Sequence, residues 1–222
     1  MFKQIDNLKI KFRNQNKGMT LIELIVVLAI FGILSLVSIF NYNGFQSKVD
    51  VTNLADDIAL QVVQAQNSSL SGLLPPNGQT PTTVPVSAWK PSYGAYFSST
   101  IAADSSGADN KHFMYFVDLG NNNQFDGSTC PSSTAECLNK YTVTNNNSIS
   151  SITVFCLAGA PTCTAGAINN VTITFARPNS GAVFYSGAVL SGVSYVEIAI
   201  HNKQGNISST IDLYPSGRVQ IN

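Results

Sequence analysis

Charge is scarce in this chain. Only 11% of its 222 residues are Asp, Glu, Lys or Arg, against roughly 25% in an average soluble protein. Ser, Thr, Asn and Gly take their place. The formal net charge is zero, but it is unevenly spread. Residues 1–18 carry five cations (Lys3, Lys9, Lys11, Arg13 and Lys17) against Asp6, a net +4. The remaining residues carry seven cations against eleven carboxylates, a net −4. Binding to nucleic acid rests on neutralising phosphates with Lys and Arg, so that balance disfavours it.

Histidine is scarcer still. His112 and His201 are the only two, and they lie far apart in sequence. There is no metal-spaced His cluster and no Gly-rich phosphate loop. A membrane-anchored hydrolase would need a Ser-His-Asp cluster, and neither histidine has the spacing to suggest one. The chain reads as a non-enzyme. Cysteine is limited to Cys130, Cys137, Cys156 and Cys163, in two Cys-x6-Cys pairs. That spacing fits neither a thioredoxin-like Cys-x-x-Cys nor common zinc ribbons. An even count in an exported domain argues for disulfides. Three pairings exist. The local one, 130–137 with 156–163, is expected, because each bond would close a short loop between candidate strands.

Long hydrophobic runs are also rare: there is one. Met19 to Phe40 is 22 residues with Glu23 as its only charge. As a helix it measures about 33 Å, enough to cross a bilayer's hydrocarbon core. It is apolar on every side, which does not suit the core helix of a soluble protein. The basic residues before it would hold the N-terminus in the cytoplasm and send the C-terminal part outward. A secretory signal places its small-residue cut site after the apolar core. Here Gly18 precedes the run, so a cut at Gly18 would leave the run on the product. Glu23 is then an expensive carboxylate in hydrocarbon unless something pairs with it.

Asn41 to Leu70 continues as an amphipathic helix. Val51, Leu54, Ala55, Ile58, Val62 and Ala65 share one face, and Asp50, Asn53, Asp57, Gln61 and Gln64 lie opposite. Gly72 and then Pro75-Pro76 stop it. Asn41-Tyr42-Asn43-Gly44 marks a bend or a loosening. Residues 73–110 are rich in Pro, Ser, Gly and Thr and read as loop with short extended pieces, among them Ala95–Phe97. From Phe113 on, the signals are β. Phe113–Val117 and Ile152–Cys156 are apolar runs of strand length. Val171–Phe175 and residues 195–200 alternate, and shorter candidates sit at Val183–Tyr185, Ile211–Leu213 and Val219–Ile221. Asn202–Asn206 and Pro215-Ser216-Gly217 read as turns. Period-two strands with such turns indicate a mostly antiparallel sheet. The fold class is α+β: a long N-terminal helix, half membrane and half amphipathic, packed on a mostly antiparallel β-sheet domain. The segments are 1–18, 19–40, 41–72 and 73–222.

Lys17-Gly18-Met19-Thr20-Leu21-Ile22-Glu23, followed by the apolar helix, resembles the prepilin motif of type IV pilins and type II secretion pseudopilins. The resemblance implies a pilin fold and cutting after Gly18 by a prepilin peptidase. It further implies N-methylation of the new terminus, Met19, where most family members have Phe. Glu23 would then meet the terminal amine of a neighbouring subunit in a filament. The implied partners are other pilin or pseudopilin subunits, the prepilin peptidase and an inner-membrane assembly platform. The implied location is the inner membrane, single-pass, and then the filament. One departure stands out: Ser35–Asn43 lacks the Pro that kinks this helix in many members.

Phe175-Ala176-Arg177-Pro178-Asn179-Ser180-Gly181, the alternating strand at 195–200, and Ile211 to Val219 resemble the H-type minor pseudopilins and FimT-type minor pilins. That likeness implies a minor subunit with a long N-terminal helix packed on a β-sandwich-like domain. It also carries an alternative, DNA capture during uptake, although Arg177, Arg218 and Lys203 do not make a basic patch and read as isolated solvated charges.

Two readings stand for Asp118 to Asp126. Asp118, Asn122 and Asp126 offer side-chain oxygens to Ca²⁺, a hard cation. Gly120 occupies a place where calcium loops usually carry Asp or Asn, however. The other reading is an Asn/Gly turn capping the strand before it. Ca²⁺ is the one candidate cofactor. Trp89, Tyr93, Tyr96 and Phe97 are either an aromatic contact surface or core.

Overall fold

A computed structural model of the chain describes residues 18–222, apart from 77, 105–106, 128–129, 132–134, 161 and 180. The basic segment expected over 1–18 therefore lies, except for Gly18, outside the described residues. The chain forms two compact units, one up to Gly44 and one from Phe45 to Asn222.

The first helix, α1, runs over Leu21–Ser71. In the first unit its large apolar side chains from Leu21 to Ile39 are exposed. A helix of this length and composition is able to serve as a single membrane anchor. The Asn41–Gly44 stretch does not interrupt the helix.

In the second unit the amphipathic face meets the core. Val51, Leu54, Ala55, Ile58, Val62 and Ala65 are all buried there, as the 3.6-residue spacing predicts. The helix ends in a Schellman motif. Gly72 takes φ +65°, its N–H donates to Ser69 O at 3.1 Å, and Leu73 N–H donates to Ser68 O at 3.1 Å. Two buried serines in the last turn tie the helix to strands. Ser69 Oγ donates to Phe175 O at 2.6 Å, and the Tyr115 hydroxyl donates to Ser68 Oγ at 2.9 Å.

Ten strands follow among the described residues: β1 Ser92–Ser98, β2 His112–Asp118, β3 Cys137–Thr142, β4 Ser148–Cys156, β5 Gly166–Ile168, β6 Asn170–Phe175, β7 Ala182–Tyr185, β8 Val193–His201, β9 Ser208–Leu213 and β10 Val219–Ile221. They form two five-stranded sheets, in the orders β3-β2-β1-β6-β7 and β10-β9-β8-β4-β5. Every strand pairing is antiparallel. Both sheets and α1 contribute to one apolar core.

The central strands β1 and β2 of the first sheet are buried on both faces. Tyr93, Ala95 and Phe97 of β1 and Phe113, Tyr115 and Val117 of β2 point into the main core. On the opposite face Tyr96, Met114 and Phe116 form a second cluster with Ala108, Phe125 and Cys137. This explains why Phe113–Val117 reads as a continuous apolar run and not as an alternation. It also places Trp89, Tyr93, Tyr96 and Phe97 as core residues, since all are buried. Gly94 leaves room for the Phe116 ring, which a Cβ would approach to 2.6 Å. The strand expected only at Ala95–Phe97 is in fact β1, hydrogen-bonded on both sides.

Candidate functional site

Two places carry the candidate residues. The first is the start of α1. Thr20 is the N-cap: its carbonyl accepts the Leu24 N–H at 3.1 Å, and its Oγ1 accepts the Glu23 N–H at 3.4 Å. Thr20-x-x-Glu23 has the spacing of a capping box. Glu23 thus sits at the third helical position, in the first turn, where free N–H groups favour a negative charge. The sequence reading missed this capping role, although the Thr-x-x-Glu spacing signals it. Glu23 therefore has a local reason to exist beside any partner. Gly18 and Met19 precede the helix, and both are exposed. A Cβ on Gly18 would meet nothing within 4 Å, so packing does not require glycine there.

Residues 13–39 match the family model described as the prokaryotic N-terminal methylation motif. The chain carries that motif. It supports a type IV pilin- or pseudopilin-like precursor. No curated protein and no solved structure matches the chain.

The second place is the segment from Asp118 to Cys137. Asp118, at the end of β2, is 1% exposed. Its two carboxylate oxygens accept the N–H groups of Asn122 at 3.2 Å and Asn123 at 2.9 Å. Asn122 Oδ1 accepts the Gln124 N–H at 2.9 Å, and Asn122 Nδ2 donates to Asp126 at 2.7 Å. Asn121 and Asn123 take φ of +52° and +61°, a region that Asn tolerates better than most residues. The structure thus brings Asp118, Asn122 and Asp126 together as a turn in which each already holds a partner. Among the described residues no group of three His, Cys, Asp or Glu is placed to hold a metal ion. These bonds are the ones an Asn/Asp turn makes at the end of a strand.

Glu136 is the residue that sequence reading overlooked. It is 5% exposed and accepts three backbone N–H bonds, from Leu119 at 2.9 Å, Gly120 at 3.2 Å and Asp126 at 2.7 Å. It pins the turn to the start of β3. Burial pushes its carboxyl up to about 7; the three N–H groups oppose the rise and the Asp118 charge adds to it. Burial also raises the Asp118 carboxyl, again against the N–H groups that it accepts. The only sequence signal for Glu136 was a lone carboxylate beside a cysteine.

Cys130 bonds to Cys137 and Cys156 to Cys163. The first bond fastens the 119–136 segment to β3, and the second closes the loop after β4. The two histidines have separate partners. His112 Nδ1 donates to Asp109 at 2.6 Å, and His201 Nδ1 donates to Asn202 O at 2.7 Å. Arg218 stacks its guanidinium 3.8 Å from the Tyr214 ring centre. Arg177 lies against the end of α1, beside Gly72.

Proposed function

We propose that the protein is a minor pilin or pseudopilin, a structural subunit of a type IV pilus or type II secretion pseudopilus. One observation carries the reading: a methylation motif whose Gly18 stands immediately before an exposed, membrane-length apolar helix. A prepilin peptidase cuts after Gly18, and Met19 becomes the N-methylated terminus. The helix holds the subunit in the inner membrane with the β domain outside the cytoplasm. An assembly platform then moves it into a filament of like subunits.

Glu23 is the fifth residue of the processed chain. Its carboxylate in hydrocarbon costs free energy alone and far less beside an amine. The terminal amine of a neighbouring Met19 supplies that charge on assembly. The N-cap bonds at Thr20 fix the backbone of the first turn, which carries Glu23.

The test is Glu23→Val in cells that assemble the filament. The variant is expected to be cut and to reach the membrane, yet to be missing from sheared filaments. Equal incorporation of variant and wild type would refute the role given to Glu23.

A further inference from the structure

The outer face of the first sheet carries a cleft of about 240 Å³ that the filament role does not use. Its floor is one cross-strand row. Thr172 of β6 pairs directly with Tyr96 of β1 on one side and with Tyr185 of β7 on the other. Paired residues point to the same face, so two tyrosines flank one threonine, about 9.5 Å apart across two strand spacings. Gln124 and Phe125 form one wall, and Asn170 lines the floor beside Thr172.

The site is held rigid from below and from the side. The Tyr96 hydroxyl donates to Asp104 at 2.5 Å, and its ring packs 5.3 Å from that of Phe125. Thr174 Oγ1 donates to Asn123 Oδ1 at 3.0 Å, which fixes the turn bearing Gln124 over β6. The polar groups aimed at the cleft are nonetheless unused. Thr172 is 2% exposed, and among the described residues its hydroxyl has no hydrogen-bond partner; neither do the side-chain amides of Gln124 and Asn170 or the hydroxyl of Tyr185. These groups are free to bond to a ligand in place of water.

We infer that this cleft binds a single neutral sugar ring, such as the terminal residue of a glycan. Among the described residues no carboxylate, Lys, Arg or His lines it, which selects against charged ligands. A pyranose has an apolar C–H face to lie on the half-exposed Tyr185 ring. Its rim of hydroxyls meets the donors and acceptors of Thr172, Gln124 and Asn170. The volume lies below the roughly 300–1,000 Å³ of sites for drug-sized molecules, which limits the ligand to one ring.

The test is saturation-transfer NMR on the full chain in detergent micelles. The probes are the methyl glycosides of glucose, galactose, mannose, N-acetylglucosamine and N-acetylgalactosamine. At least one is expected to bind, with a Kd of roughly 1 mM. Thr172→Val removes the hydroxyl at constant shape and is expected to weaken binding about threefold to tenfold. Tyr185→Ala is expected to abolish it. Gln124→Ala, at a half-exposed position, is expected to weaken it with no change in melting temperature, so the result does not depend on the other variants folding. No transfer to any of the five glycosides would overturn the inference. So would binding that all three variants leave unchanged.

Discussion

Glu136 and Gly72 show how much single side chains decide in the β domain. A carboxyl whose folded value is raised binds its proton more tightly folded than unfolded. Its stabilising contribution is full below about pH 4.5 and is lost as the pH climbs through about 7. Asp118 shifts in the same direction. Thermal stability is therefore expected to fall between pH 5 and pH 8. Glu136→Gln removes the titration and leaves one oxygen for three N–H donors. Melting curves are expected to show a lower Tm for the variant at every pH, with a flatter pH slope than wild type. An unchanged slope would mean that Glu136 does not titrate in this window. Gly72 takes φ +65°, and an added Cβ would press on the Arg177 guanidinium. Gly72→Ala is expected to cost about 1–2 kcal/mol by denaturant titration, since the strain is backbone as well as steric.

For the elements, the second half of α1 and the disulfide-closed loops carry the tests. Ile58 is fully buried in the main core. Ile58→Ala is expected to cost about 2–5 kcal/mol, read as a lower urea midpoint with the slope unchanged. The Cys156–Cys163 bond closes a short loop beside β4. Replacing both cysteines by serine is expected to cost roughly 2–3 kcal/mol through the unfolded chain's regained freedom.

These elements also show what the sequence could and could not reveal. The buried face of α1 was readable residue by residue, because only one face meets a core. The turns at 202–206 and 215–217 were readable from Asn, Pro and Gly. β3 was not readable, because it lies at a sheet edge and several of its residues are exposed. β1 was underestimated, since Ser92 and Gly94 are poor strand formers that the pairing on both sides overrides. Which strands share which sheet was out of reach, because pairings such as β1 with β6 and β4 with β8 join strands distant in sequence. At the candidate sites, Gly18, Met19 and Glu23 were legible as a local motif. The bond from Thr20 to Glu23 was legible but unnoticed. Glu136 was not legible, because its partners lie ten to seventeen residues away along the chain.

The whole molecule carries an exposed apolar helical segment and a disulfide-bonded β domain. That pairing suits a subunit that is anchored first and assembled later. From residue 19 on, the net charge of −4 predicts that the detergent-solubilised protein does not bind DNA even at low salt. Salt-sensitive retention of a DNA duplex would instead favour a role in DNA capture.

The most direct test is the intact mass of the protein extracted from the membranes of cells that carry the assembly machinery. Cleavage after Gly18 and one added methyl group are expected, giving a chain that starts at N-methyl-Met19. A chain that still begins at Met1, or one cut beyond the apolar helix, would contradict the account.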